Sequence, residues 1–144
     1  MNSEIEKFRH KISVKVRFSD LDAMGHVNNA SYLSYLEEAR LAYYNQVLKV
    51  DTNSLNFNAV IARIEIDYID QIRLGEVVEI YTRTARIGHK SSDVEHLVVV
   101  ANNGNKKIAA KALTKLVSFD YRKNVSVSVS EEAKKTIEEF ENLS

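Results

Sequence analysis

The stretch that determines the fold, residues 18–40, reads FSDLDAMGHVNNASYLSYLEEAR. Its first half is rich in the turn formers Asp, Asn and Gly, and a run without Gly or Pro then continues to about Leu48. Apolar residues recur in this run at three- and four-residue steps, the period of one helix face. They are Tyr32, Leu36, Ala39, Tyr43 and Val47, and Leu33, Tyr35 and Leu41 widen this face. The stretch predicts a loop and then a long buried helix over residues 30–48, capped by Asn28 or Asn29.

Alternation of apolar and polar residues predicts strands on both sides of this helix. Before it, residues 11–18 alternate, with Val14, Val16 and Phe18 on the side expected to face the core. After a polar loop at residues 51–58, four more segments have strand character: residues 60–68, 76–87, 92–101 and 106–119. Short connections at residues 88–90 and 102–105 predict hairpins between the last three. Residues 130–143 predict a short amphipathic helix capped by Ser130.

The order of these elements predicts a single α+β domain over residues 1–144. A length of 144 residues is normal for one domain, and no shift in composition divides the chain. One long central helix is expected to pack on a five-stranded antiparallel sheet, in which the last four strands follow one another as hairpins. The short helix at the C-terminus completes the predicted fold.

The overall composition excludes several classes of function. Twenty basic and twenty acidic residues balance, so nucleic acid is not an expected partner. The chain has no cysteine, which excludes disulfides and thiol chemistry. Its four His residues, at positions 10, 26, 89 and 96, lack zinc-ligand spacing, so no metal is expected. A charged N-terminus and the lack of a long apolar run predict a cytoplasmic protein without a membrane partner.

Residues 20–29 place two carboxylates, a Gly-His pair and two Asn residues directly before the predicted helix. A helix N-terminus presents unpaired amides and a positive dipole end, which favour a carbonyl oxygen that becomes negative during acyl transfer. A carboxylate a few residues upstream could face the same carbonyl. These residue types therefore form a candidate catalytic site. Asp22 is equally explained as a turn residue that binds nearby amides, and the two Asn residues as helix caps.

The same residues resemble the signature of the 4-hydroxybenzoyl-CoA thioesterase-like branch of the hot-dog proteins. That signature is an aromatic residue at the end of a strand, an Asp-x-Asp pair, a Gly followed by His-Val-Asn-Asn, and a helix bearing Tyr and acidic residues. This chain has it as Phe18, Asp20, Asp22, Gly25, His26, Val27, Asn28, Asn29, Tyr32, Tyr35, Glu37 and Arg40. The resemblance implies a hot-dog fold, in which the sheet wraps the central helix.

The resemblance also implies roles for the residues of this segment. Asp22 occupies the position of the family's catalytic carboxylate, and the amide of Asn29, helped by Asn28, the position that polarises the substrate carbonyl. His26 is implied as a helper, because the plant acyl-carrier-protein thioesterases use the His of the same His-Val-Asn-Asn run. Those enzymes carry an Asn two residues before that His, where this chain has Met24.

Further substrate-binding residues are expected. His89, Lys90 and Ser91 match a turn that meets the coenzyme A (CoA) phosphates in some family members. Tyr35, Val60 and Ile64 are expected to line the path of the acyl tail. The resemblance implies a homodimer or homotetramer with active sites between subunits. CoA belongs to the substrate, so no separate cofactor is expected.

The sequence therefore predicts an acyl-CoA thioesterase in which Asp22 acts as nucleophile or as general base. An acyl-carrier-protein thioesterase is the first alternative, since the carrier, the acyl chain length and the aromatic or aliphatic nature of the acyl group stay open. An enoyl-thioester hydratase is a second alternative, although its Asp-x-Asn-Pro-x-His loop is absent and the chain has no proline. A non-catalytic acyl-CoA-binding oligomer is the third.

Overall fold

The computed structural model describes residues 3–50 and 58–143 and shows one long helix against an antiparallel sheet. The predicted polar loop lies outside these residues, except for Asn58. The elements in chain order are β1 (His10–Lys15), α1 (Asn29–Leu48), β2 (Ala59–Tyr68), β3 (Val77–Ile87), β4 (Ser91–Asn102), β5 (Asn105–Asp120), β6 (Val125–Ser126) and α2 (Glu131–Glu141). The predicted helices and the five main strands are confirmed, most bounds agree within two residues, and the two-residue β6 was not predicted.

The strand order is β1-β3-β4-β5-β2, and β6 pairs with the end of β5. Strands β3, β4 and β5 form the predicted hairpins, and the turn between the last two has Asn103 at φ 51° and Gly104 at φ 82°. The predicted hairpin between β2 and β3 is wrong, because β2 pairs with β5 at the far edge. Residues 69–76 therefore cross the sheet and pass the N-terminal end of α1, where the carbonyl of Ile72 accepts a hydrogen bond from the amide of Val27 at 2.8 Å.

The core lies between α1 and the inner face of the sheet. The helix buries most of its predicted apolar face against β3, β4 and β5, as at Leu36 and Ala39, which are fully buried. Two residues depart from the predicted pattern. Leu33 is 41% exposed, and Phe18 is 82% exposed because β1 ends at Lys15 and Phe18 begins a short 3₁₀ turn.

The C-terminal helix α2 is tied to the core. Ser130 is its N-cap and accepts a hydrogen bond from the amide of Ala133 at 3.1 Å. At the other end of the helix, the carboxylate of Glu141 accepts hydrogen bonds from the Tyr43 hydroxyl at 2.6 Å and from the Thr84 amide at 2.8 Å. In the described part of the chain, no helix is both long and apolar enough to cross a bilayer.

Candidate active site

The loop that carries Asp22 is held by its own backbone and by the Asp22 side chain. The amide of Asp22 donates to the carbonyl of His26 at 2.8 Å, and the amide of Gly25 donates to the carbonyl of Asp22 at 3.1 Å. Oδ1 of Asp22 accepts hydrogen bonds from the amides of Met24 at 2.8 Å and His26 at 3.3 Å. Gly25 has φ +83°, a conformation that L side chains rarely adopt. Asp22 therefore makes the turn contacts expected of a loop aspartate.

The second carboxylate oxygen of Asp22 is not used by this loop. Within residues 3–50 and 58–143, no group donates a hydrogen bond to Oδ2. The residue is exposed, and the hydrogen bonds to Oδ1 fix the orientation of its side chain. A turn-forming role and a chemical role are thus compatible in this geometry.

Backbone contacts place the loop beside the segment that leads into β3. The carbonyl of Ile72 binds the amide of Val27, as described above, and His26 and Arg73 face each other in a short antiparallel bridge. The amide of Asn28 donates to the carbonyl of Asp20 at 2.8 Å. The loop is therefore anchored on both sides.

The start of α1 agrees with the prediction. Asn28 is the N-cap, and its side chain accepts a hydrogen bond from the amide of Ala30 at 2.8 Å. Asn29 is the first helical residue, and the amide of such a residue has no carbonyl partner within the helix. This amide lies at the positive end of the helix dipole and is suited to polarise a carbonyl oxygen.

A cleft of about 360 Å³ opens in front of this helix end. Its lining residues are Asp22, His26, Val27, Asn29, Tyr32, Tyr68, Ile69, Asp70 and Gln71. The cleft brings together the three predicted catalytic residues Asp22, His26 and Asn29. Asn28 does not line it and acts on it only through the helix cap.

The far wall of the cleft consists of residues that the sequence reasoning missed as site residues. The Tyr68 hydroxyl donates to the Asn29 carbonyl at 3.1 Å, and the Tyr32 hydroxyl donates to the Asp70 carbonyl at 3.3 Å. The two Tyr rings meet edge to face with centroids 5.0 Å apart. Burial, followed by nearby Tyr68 and Asp70, raises the pKa of Tyr32 to about 12. The available sequence signal is the end of the β2 alternation at Tyr68, followed by an apolar residue and an acid.

Asp20, the first acid of the Asp-x-Asp pair, does not line the cleft and is only 3% exposed. Its carboxylate pairs with the Arg17 guanidinium at 3.0 Å and accepts hydrogen bonds from the Arg17 amide at 2.9 Å and the Tyr35 hydroxyl at 2.8 Å. Burial opposes a charge on Asp20, but these hydrogen bonds outweigh burial and lower its pKa. Asp20 therefore fixes the turn before the Asp22 loop.

The residues predicted to line the acyl path do not reach this cleft within one chain. Tyr35 is 4% exposed and bonded to Asp20, so its side chain is part of the core. Val60 lines a separate cleft of about 370 Å³ together with Arg40 and Leu41. Ile64 is half-buried in the middle of β2 and lines neither cleft.

The turn with His89, Lys90 and Ser91 is also remote from Asp22 within one chain. Arg73, beside the Asp22 loop, precedes β3, and the turn follows β3. At about 3.3 Å per residue, an eleven-residue strand separates the two by about 33 Å. His89 contacts the Ser128 hydroxyl at 3.2 Å instead. Within one chain, the turn therefore lies at the far end of β3 from the Asp22 loop.

The cavity at the other end of α1 offers less chemistry than the Asp22 cleft. A cavity of about 360 Å³ at the C-terminal end of α1 has mainly apolar walls, such as Leu48, Leu116 and Ile137, and its described lining includes no carboxylate or histidine. Residues 3–50 and 58–143 contain no group of three or more His, Asp or Glu side chains arranged to hold a metal ion. The candidate active site is therefore the Asp22 cleft.

The chain is similar to known proteins in sequence and in fold. A thioesterase from Thermus thermophilus, solved in complex with coenzyme A and Zn, is 36% identical and superposes with a TM-score of 0.83 over 96% of this chain and 98% of that chain. The long-chain acyl-CoA thioesterase FadM of Escherichia coli is 27% identical over 88% of this chain and 96% of that protein. The uncharacterized protein YsmA of Bacillus subtilis is 33% identical over 58% of this chain, and the match spans only 56% of YsmA.

The fold and these likenesses define an enzyme of the thioester hydrolase class with the predicted hot-dog fold. A family model matches residues 16–137, a range that includes the Asp22 loop, α1, the sheet from β2 to β6 and much of α2. The chain belongs to the Thioesterase-like superfamily.

Proposed function

We propose that this chain hydrolyses acyl-CoA thioesters in the Asp22 cleft. The observation that carries the proposal is the exposed Asp22, whose described hydrogen bonds go to Oδ1 alone, in the cleft that Asn29, the first residue of α1, also lines. Relatives named as acyl-CoA thioesterase and as a thioesterase in complex with coenzyme A support CoA as the carrier. Acyl-carrier protein remains the alternative carrier.

The proposed reaction requires a nucleophile on one side of the thioester carbonyl and hydrogen-bond donors around its oxygen. Asp22 supplies the first function by one of two routes: its carboxylate attacks the carbonyl carbon to form a mixed anhydride that water then cleaves, or it takes a proton from an attacking water. In both routes the C–S bond breaks, and CoA leaves as a thiolate that takes up a proton. The Asn29 amide stabilises the developing oxyanion, an effect commonly worth about 3 kcal/mol per donor.

His26 lines the same cleft and is half-buried. We infer that it acts as a hydrogen-bond donor to the substrate or to the leaving thiolate, because it lines the cleft while its backbone is fixed by the Asp22 loop. If His26 has this role, His26→Ala should lose turnover and still bind the substrate.

The test is a thiol-release assay over short, medium, long and aromatic acyl-CoAs, with the same acyl groups on acyl-carrier protein. Asp22→Asn is the informative variant, because an Asn side-chain oxygen still accepts from the amides of Met24 and His26 and preserves the loop. We expect kcat to fall by about 100-fold or more while the fold is retained, because the reactive charge is lost.

Glu139→Gln is the matched control, since Glu139 is an exposed carboxylate on α2, outside the cleft. It should retain the wild-type rate. Undiminished turnover of Asp22→Asn would remove Asp22 from the mechanism. Tight binding of acyl-CoA without thiol release by the wild type would instead support the binding-protein alternative.

A further inference from the structure

The Asp22 cleft has acidic walls, although the proposed substrate is an anion. Asp22 and Asp70 both line it, and Asp70 is paired with Lys107 at 3.0 Å. The hydrogen bond from Lys107, and then that from the Gln71 amide, lowers the pKa of Asp70, with a smaller contribution from the nearby charge of Arg73. The phosphates of CoA therefore need a cation near the cleft that is not already paired.

Arg73 is a cation beside the Asp22 loop. Its backbone faces His26 in the antiparallel bridge, and its amide donates to the Glu76 carboxylate at 2.8 Å. The residue is exposed, and among residues 3–50 and 58–143 its guanidinium has no carboxylate within 4.0 Å. The backbone of Arg73 is thus fixed at the rim of the site while its side chain remains available.

We propose that Arg73 binds the phosphate groups of the CoA carrier while the thioester lies in the Asp22 cleft. This inference rests on the proposed function and extends it to the recognition of the carrier. A guanidinium offers paired N–H donors that match phosphate oxygens, and it keeps its charge throughout the physiological pH range. In the same chain, the turn with Lys90 lies about 33 Å farther along β3, so Arg73 is the nearer cation.

The test compares two substrates that share the acyl-pantetheine arm and differ in the phosphorylated nucleotide. One is an acyl-CoA, and the other is the same acyl group on pantetheine, which has the same thiol arm but neither the nucleoside nor its phosphates. Arg73→Gln should raise KM for the acyl-CoA by about two- to fivefold with kcat unchanged, the range expected of a solvent-accessible ion pair. The same variant should hydrolyse acyl-pantetheine at the wild-type kcat/KM. Added salt should raise the acyl-CoA KM more in the wild type than in the variant.

Two further variants complete the experiment. Lys135→Gln removes an exposed cation from α2 and should leave KM and kcat unchanged for both substrates. Lys90→Gln tests the rival turn on a second copy of the chain. A phosphate-dependent loss in Lys90→Gln but not in Arg73→Gln would overturn the proposal, as would an equal effect of Arg73→Gln on both substrates.

Direct binding of CoA, measured by calorimetry, separates this inference from the proposed function. Weaker CoA binding by Arg73→Gln supports the inference even if the wild type releases no thiol, whereas equal CoA binding overturns it. Absence of thiol release from every wild-type substrate contradicts only the proposed function.

Discussion

At the scale of single residues, His96 shows how burial determines a charge state. It lies on β4 beneath α1, is 1% exposed, and its Nδ1 is 3.0 Å from the Thr82 hydroxyl. Burial, followed by the nearby charge of Arg40, lowers the pKa of His96 to about 3, whereas its ordinary value is 6.5. Arg40 is itself 5% exposed, so this charge is poorly screened by water.

The lowered pKa of His96 predicts loss of stability in acid. Because the folded-state pKa lies below the unfolded-state value, the contribution of His96 is complete above pH 6.5 and is lost as the pH falls from 6.5 towards about 3. This residue alone should reduce the free energy of unfolding by up to about 1.4 kcal/mol per pH unit in that window. Urea denaturation at pH 7, 6, 5 and 4 measures the slope.

His96→Gln should have a shallower slope than the wild type over the same pH range. Thr114→Val is the matched control, since Thr114 is a fully buried polar residue on the neighbouring strand that does not titrate. The stability of Thr114→Val can differ from that of the wild type, but its free energy of unfolding should change with pH by the same amount. An unchanged slope in His96→Gln would contradict the argument.

The sequence predicted the residues whose role follows from local chemistry. Asn28 caps α1 because its side chain reaches an amide two residues away, and Asp22 binds amides of its own loop for the same reason. Tyr68 and Asp70 were missed because their contacts with Asn29 and Tyr32 join positions 39 and 38 residues apart. The alternation of apolar and polar residues along β2 predicts which face a side chain lies on, but not which distant residue it contacts.

At the scale of elements, α2 is stabilised by one carboxylate as well as by apolar contacts. Glu141 accepts from the fully buried Tyr43 and from the Thr84 amide, and Ile137 packs against α1 and the sheet. Glu141→Ala leaves two donors without this acceptor, which should lower the free energy of unfolding by about 2 kcal/mol. Urea denaturation measures this loss, and hydrogen exchange at the Thr84 amide should become faster.

Glu139→Ala provides the control on the same helix, because Glu139 is exposed and removal of its side chain leaves the buried hydroxyl and amide bonded to Glu141. It should change stability by no more than about 0.5 kcal/mol. Equal effects of the two substitutions would show that helix propensity, and not the buried contact, determines how firmly α2 is attached.

The positions of the elements along the chain were predictable, and their arrangement was less so. Helix and strand bounds follow from periodicity and from turn residues, such as the Asn103-Gly104 pair, so they agree closely with the structure. The pairing of β2 with β5 brings together residues about 50 positions apart, for example Tyr68 and Ala110 at one end and Ala59 and Ser118 at the other. Such pairing depends on packing under α1, which the local pattern does not specify.

At the scale of the whole molecule, β2 is the element that points to self-association. Among the described strands this ten-residue strand pairs with β5 alone, and Ile61 and Ile69 are 45% and 53% exposed at its edge and just beyond it. Free edges with apolar side chains favour pairing with another strand. We propose a dimer in which two β2 edges pair antiparallel about a two-fold axis.

Such pairing would complete the active site. A two-fold axis between antiparallel edges sets the Ala59 end of one β2 beside the Tyr68 end of the other. The cleft that contains Val60 and Arg40 would then adjoin the partner's Asp22 cleft. This arrangement would give Val60 its predicted place along the acyl path, although the two clefts are separate within one chain.

Ile61→Lys tests this arrangement, because it places a charge in the proposed contact. Sedimentation should show a dimer for the wild type and a shift to monomer for the variant, with turnover falling in parallel and recovering at higher protein concentration. Val125→Lys is the control, since Val125 is 48% exposed on β6, away from β2; it should leave both properties unchanged. A fully active Ile61→Lys monomer would contradict a shared site, and a monomeric wild type would contradict the dimer itself.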